Sequence, residues 1–289
     1  ISMLAAGLTK VLGMELCHKG EGQYSCRLVE LFRKGNELEI KGKKVIEGPL
    51  PKILEGLPKE LPTALVLSGK GIVHKNIALE ENLADEAAPF RWAFPAIDSN
   101  DFYVQQIKQD SNACLSIARR DFLDELLAKM TRAGLPIYSV SFGGPVAIHI
   151  LPQLNNYGAD AVFDGHHFVL ATKRFQSYHF NAELSAEFQM KIGEEPIAEE
   201  LIVAYASGFQ LLLHEQLPMV IANVDVVNKG FEKLLGNQLW KKRMLVFLFA
   251  IFAMLLMSFA MFSHYNQQNE RLLREVGAQT SSAEQMELL

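Results

Sequence analysis

The chain has 289 residues, 49% of them hydrophobic, and 28 basic against 33 acidic side chains give a formal net charge of −5. That length supports a core in one or two lobes. The acidic balance argues against a nucleic-acid binder, and the one dense basic cluster is Lys241-Lys242-Arg243. Cys17, Cys26 and Cys114 are odd in number and lack metal-ligand spacing, as expected for reduced, packed thiols.

The first forty-odd residues predict a three-stranded meander with alternating faces: LTKVLGMELC, QYSCRLVELF and ELEIKGKKVI, separated by HKGEG and RKGN, with a hairpin at Gly35-Asn36. PLPKILEGLPKELP reads as a short Pro-bounded helix. TALVLSG reads as a buried strand that makes a hairpin turn at GKG into IVHKNIAL. After an acidic, Pro-containing loop, FYVQQIKQ and ACLSIAR form an antiparallel pair joined by Asp110-Ser111-Asn112. RDFLDELLAKMTRAG carries Phe122, Leu123, Leu126, Leu127 and Met130 on one helical face, with Asp121 to cap the start and Gly134 to end it. LPIYSVSF is the next strand, and GGPVAIHIL opens a helix with Pro145 in its first turn. ADAVF, HHFVLAT and RFQSYHFN form a second strand group around an Asp164-Gly165 turn. Pro196 to Leu217 reads as a long, mostly buried helix. The pattern is α/β in two unequal halves.

Met244 to Phe262 contains no charge. At about 1.5 Å per residue such a helix spans roughly 28 Å, close to the hydrocarbon thickness of a bilayer. A buried core helix of that length usually carries a polar stripe, whereas here Ser258 is the only polar residue. It stands at the wrong end of the chain for a signal peptide. Lys229, Lys233, Lys241, Lys242 and Arg243 precede it, against Arg271 and Arg274 after it, so the positive-inside rule puts the large body in the cytoplasm and the tail outside. The tail segment NQQNERLLREVGAQ has Leu272, Leu273 and Val276 as an apolar stripe that predicts pairing with a partner helix. The small residues Ala250, Ala253, Ser258 and Ala260 do not make a dimer motif.

Few motifs carry chemistry. LSGKG lacks both the leading glycine and the trailing Ser or Thr of a Walker A loop, since Ala64 and Gly71 stand there. His166 and His167 are adjacent on a strand and point to opposite faces, which disfavours a shared metal. His18, His74, His149, His179 and His214 are scattered, and no G-x-S-x-G elbow is present. AAGLTKVLGMEL is more informative, because it resembles the opening of actin-like ATPases, an aspartate-led hairpin that approaches nucleotide phosphates. Gly7 matches, Thr9 sits one place late, and Ala5 replaces the metal-holding aspartate. Asp164-Gly165 is the candidate for the second phosphate loop, and the FGGP run at Phe142–Pro145 for the adenosine side. Each is also readable as a plain turn or loop.

The whole layout resembles the cytoplasmic actin-like domain of the GspL component of type II secretion systems. It is also similar to PilM of type IV pilus assembly fused to the membrane segment of PilN. The blocks that carry this are KVLGMEL, ALVLSGKGIVHKNIAL, LSIARRDFLDELLAKMTRAGLPIYSVSF and AEELIVAYASGFQLLL, followed by a linker and one span. The resemblance implies an α/β, actin-like, two-lobed body, with halves at 1–150 and 151–228. A juxtamembrane linker at 229–243, a transmembrane helix at 244–262 and a helical, coiled-coil-like periplasmic start at 263–289 follow. It implies a non-catalytic scaffold of the bacterial inner membrane that needs no cofactor. Its partners would be a cytoplasmic hexameric ATPase, a bitopic protein of GspM or PilO type, a polytopic platform protein and further copies of itself. VVNKGFEKLLGNQ would stand in for the PilN tether, without that tether's Asn-Leu-Leu-Pro signature. The chain begins at Ile1 rather than Met, which implies a trimmed or tagged start, and the family's small periplasmic α/β domain would lie beyond Leu289. The alternatives are a membrane-anchored actin-like ATPase or kinase, with Asp101, Asp160 or Asp164 supplying the metal carboxylates, and a single-pass receptor with an unrelated body.

Overall fold

The computed structural model describes residues 7–35, 37–79, 88–109, 112–156, 158–171 and 174–287. Ala5, Asn36, Asp110 and Ser111 lie outside the described residues. One compact unit spans Gly7–Lys233, and the chain from Leu234 onward belongs to another.

The predicted meander is present as β1 (Lys10–Gly20), β2 (Gln23–Lys34) and β3 (Glu37–Pro49). Two later strands, β4 (Thr63–Gly69) and β8 (Ile137–Phe142), add parallel to β1 and to each other, giving the order β3-β2-β1-β4-β8. The expected alternation fails in β1, where every residue from Val11 to Leu16 is buried. The reason is that both faces are covered. Leu12, Met14 and Leu16 pack with Leu50 and Ile53 of the short helix α1 (Leu50–Glu55) and with Leu123, Leu126 and Met130 of α3 (Arg120–Arg132). The opposite face meets α4 (Ile202–Leu212), all of whose residues are buried. At that crossing the backbones nearly touch: a Cβ on Gly13 would lie 1.9 Å from the Ala204 carbonyl oxygen and 2.9 Å from the Gly208 nitrogen. Only glycine permits this approach.

An inserted sheet, order β5-β7-β6, comes from β5 (Ile72–Ala78), β6 (Phe102–Gln109) and β7 (Asn112–Arg119). It has its own small core with Phe90, Ala93 and Phe94, the first two from α2 (Ala88–Ala93). GKG is therefore a crossing between two sheets and not a hairpin, since β4 and β5 do not pair. The Lys70 N–H donates to the His18 carbonyl at 2.8 Å, and Gly69 and Gly71 take φ of +83° and +97°. The third sheet, order β11-β10-β9, is the predicted second strand group, β9 (Asp160–Phe163), β10 (His166–Ala171) and β11 (Arg174–Phe180). The two-residue strands β12 (Lys191–Ile192) and β13 (Glu195–Pro196) make a small hairpin.

Helix ends refine the sequence reading. α3 closes in the Schellman arrangement: Leu135 N–H to Met130 O at 3.1 Å, Gly134 N–H to Thr131 O at 2.9 Å, and Gly134 at φ +82°. Its cap position is Arg119, while Asp121 lies inside the first turn and accepts from the Phe122 N–H at 2.8 Å. The helix expected at GGPVAIHIL is a 3-10 segment, Gly144–His149, followed by a separate 3-10 turn, Leu151–Gln153, with Pro152 at its start, where its missing N–H costs nothing. The helix expected from Pro196 to Leu217 shortens to a 3-10 turn and α4. His214 donates from Nδ1 to the Leu211 carbonyl at 2.9 Å, competing with the last turn.

The final helix, α5, runs Asp225–Glu287, and it is the one helix among the described residues long and apolar enough to cross a membrane. Between Met244 and Phe262 every side chain is exposed except the half-exposed Ala253. Leu272, Leu273 and Val276 are exposed as well.

Candidate functional site: a charge clamp between two hairpins

Glu15 is the one charged residue in the buried run of β1, and the β1–β2 register sets Arg27 directly opposite it. Glu15 is 1% exposed. Its Oε1 accepts from Ser68 Oγ at 2.6 Å and its Oε2 from Arg27 Nη1 at 3.0 Å. The same Nη1 donates to the Asp164 carboxylate. Asp164 and Gly165 form the two-residue turn joining β9 to β10, with φ of +43° and +80°, the left-handed pair that such hairpins require. The turn is held from behind: the Glu199 carboxylate accepts from the Asp164 N–H and from the Ala186 N–H, each at 2.7 Å. One guanidinium thus ties the first sheet to the tip of the third.

A polar chain continues inward. Tyr178 Oη accepts from the Gly144 N–H at 3.2 Å and lies 2.7 Å from His166 Nδ1. When the Tyr178 hydroxyl donates to Nδ1, the neutral His166 ring carries its proton on Nε2, which faces Glu15 Oε1 at 4.0 Å. Nearby, His74 Nδ1 bonds Ser116 Oγ at 2.8 Å. Burial pushes His166 down to about 3, with the Arg27 charge adding to it, and burial likewise holds His74 near 3, so both rings are neutral. Burial pushes the Asp164 carboxyl up to about 6, helped by Glu15 and opposed by Arg27. Burial works against the Arg27 charge, but Glu15 and Asp164 outweigh it and raise its pKa. The Cys17 thiol is raised, by burial first and Glu15 second, so it stays protonated and is a poor nucleophile.

Two neighbouring cavities open here. One, of about 510 Å³, is lined by Glu15, Cys17, Arg27, Lys70, Asp164 and His166. The other, of about 360 Å³, is bordered by Ser68, His74, Gly143, His166, Tyr178 and Phe180. The volumes are of ligand size, yet the two carboxylates are already paired with Arg27. A cation entering between them must displace a buried guanidinium. Among the described residues no three His, Cys, Asp or Glu side chains are grouped to hold a metal ion.

The phosphate-loop candidates separate. Asp164 lines the cleft and Gly165 turns beside it. Gly7 and Thr9 precede β1 at its far end, where the Thr9 carbonyl accepts from the Arg33 N–H at 2.8 Å. Thr9 and Glu15 are six residue steps apart along the chain, about 20 Å in a strand. Of the FGGP run, Gly143 borders the smaller cavity and the Gly144 N–H serves Tyr178. Asp160 pairs with His167 at 3.2 Å and lines a different cavity, and Asp101 is exposed. Lys241 and Arg243 are exposed on α5, beside Lys242. Sequence reading passed over Glu15, Arg27 and Tyr178. The available signal was a lone acid in VLGMELC facing a lone base in YSCRLV across the HKGEG turn.

No protein-family model matches the chain, and no curated protein matches it. Among solved structures it is similar to the cytoplasmic domain of EpsL, an inner-membrane component of the type II secretion system of Vibrio cholerae. The TM-score is 0.41 at 11% identity, over 60% of this chain and 71% of that one. It is also similar to a PilM–PilN type IV pilus biogenesis complex, with a TM-score of 0.38 at 14% identity, over 83% of this chain and 77% of that one.

Proposed function

We propose that the chain is a non-catalytic, single-pass scaffold of a type II secretion or type IV pilus-like inner-membrane platform. Its actin-like, two-lobed body lies in the cytoplasm and docks a hexameric ATPase. Its span meets a bitopic partner of GspM or PilO type and a polytopic platform protein. The observation that carries this is the apolar run Met244–Phe262, exposed at every position but Ala253, on the same chain as a folded α/β unit. Nineteen consecutive apolar or small residues facing outward are tolerable in lipid and not in water. The body is also bound to the start of its own helix. The Ala222 N–H donates to Val140 O at 2.8 Å and the Asn223 N–H to Val104 O at 3.0 Å, while Val227 and Phe231 are buried. The tether therefore begins at Val220–Asn223, a few residues before VVNKGFEKLLGNQ.

Catalytic idleness is supported by Arg27, which occupies both carboxylates that face the cleft. An ATPase reading draws on the same cavities, and the two readings part in one experiment. The full chain in nanodiscs is mixed with magnesium and ATP, then with the secretion or pilus ATPase of its own genome. The scaffold reading expects no turnover and stable co-purification of the hexamer. Magnesium-dependent turnover without hexamer capture would replace it with the enzyme.

A further inference from the structure

The outer edge of β6 carries a further cavity, of about 660 Å³, bordered by Phe90, Val104, Gln106, Lys108, Arg120 and Asn228. β6 ends its sheet, and the chain's own Asn223 takes the N–H and the C=O of Val104 beside a bridge from Ala222 to Gln105, so the edge left open lies toward Lys108. Six buried side-chain polar atoms among the described residues find no hydrogen-bond partner, and three belong to this cavity: Gln106 Nε2, Arg120 Nε and Asn228 Oδ1. Buried polar atoms are rarely left unpaired, so three on residues that border one cavity single it out as a candidate binding place. Two are donors and one is an acceptor.

The charge of the site is positive. The Arg120 guanidinium lies 4.3 Å from the Tyr103 ring centroid. The nearby acids are engaged elsewhere, with Asp124 accepting from Tyr103 Oη at 2.8 Å and Asp121 paired with Arg119 at 3.1 Å. Among the described residues neither Lys108 nor Arg120 has a carboxylate within ion-pair distance. Phe90, Val104, Ile221 and Ala222 add apolar surface. A free anion would satisfy the donors and leave Asn228 Oδ1 unmatched. A peptide with an acidic side chain suits the lining: its carboxylate faces Lys108 and Arg120, and its backbone amides face Gln106 and Asn228.

The geometry points to a docking site for an extended acidic peptide, laid along the free edge of β6 beside the chain's own tether. Edge addition supplies backbone bonds, and the cationic pair selects the acid. The site stands whether or not the body also docks a motor.

The test is selection of random short peptides from a display library against the full chain in nanodiscs. Enriched sequences should carry Asp or Glu among apolar residues. A resynthesised winner should lose roughly tenfold or more in affinity when its acids become amides, and again against the Lys108→Gln, Arg120→Gln double variant. Gln106→Leu separates a binding role from a structural one: it should weaken the peptide while leaving the unfolding midpoint level or higher, because an orphan donor is removed. Enrichment of peptides without acids, no enrichment at all, or equal binding to the double variant would overturn the proposal.

Discussion

At the scale of single residues, Arg27 is the position on which the cleft depends. It is 14% exposed and holds Glu15, 1% exposed, together with Asp164. Arg27→Met leaves Glu15 buried and unpaired, and should destabilise the body by about 3 kcal/mol or more, read by denaturant unfolding. Asp164→Asn keeps a hydrogen-bond acceptor for Arg27 and should cost clearly less. The titrating groups here act in opposite directions. His74 and His166 have folded pKa values near 3 against an ordinary 6.5, so the unfolded chain binds their protons first and stability is lost as pH falls from 6.5 toward 3. Asp164, raised to about 6 in the folded chain, instead favours the folded state as pH falls through 6 toward its ordinary value. Two histidines outweigh one acid, so the wild-type chain should lose stability between pH 6.5 and 4. The His74→Gln, His166→Gln variant should lose distinctly less over the same range, and an unchanged acid limb would show that these rings are not buried neutral.

At the scale of elements, the crossing of β1 and α4 is where shape is least forgiving. Gly13→Ala places a methyl 1.9 Å from a backbone oxygen, which no rotamer change relieves. The expected cost is about 3 kcal/mol, or failure to fold, measured as loss of the unfolding transition. Elements with a local signature were legible in the sequence. α3 followed from its apolar face and Gly134, and the strands of both meanders followed from β-rich runs between turn residues. What escaped is non-local. β4 and β5 look like a hairpin until β7 claims β5, and β1 loses its alternation because α4, almost two hundred residues later, covers its second face. The clamp escaped for the same reason, since Arg27 and Asp164 are 137 residues apart. Asp164-Gly165 was legible as a turn but not as the acid that closes a cleft, while Gly7 and Thr9 drew attention by motif and sit at the far end of β1.

At the scale of the whole molecule, a compact unit over Gly7–Lys233 and an apolar exposed stretch of α5 share one chain. Basic residues crowd the N-terminal side of that stretch, and after it come Arg271 and Arg274. The charge bias and the apolar length together predict an orientation. Replacing Lys241, Lys242 and Arg243 by Glu should weaken it, giving a mixed population in place of a single topology. The most direct measurement is protease shaving of intact spheroplasts carrying the full chain with an epitope near each end of the body and one in the tail. The expected result is that the tail epitope after Phe262 is lost while the epitopes within Gly7–Lys233 survive until the membrane is opened. Digestion of the body in intact spheroplasts, with the tail protected, would contradict a cytoplasmic body on a single span.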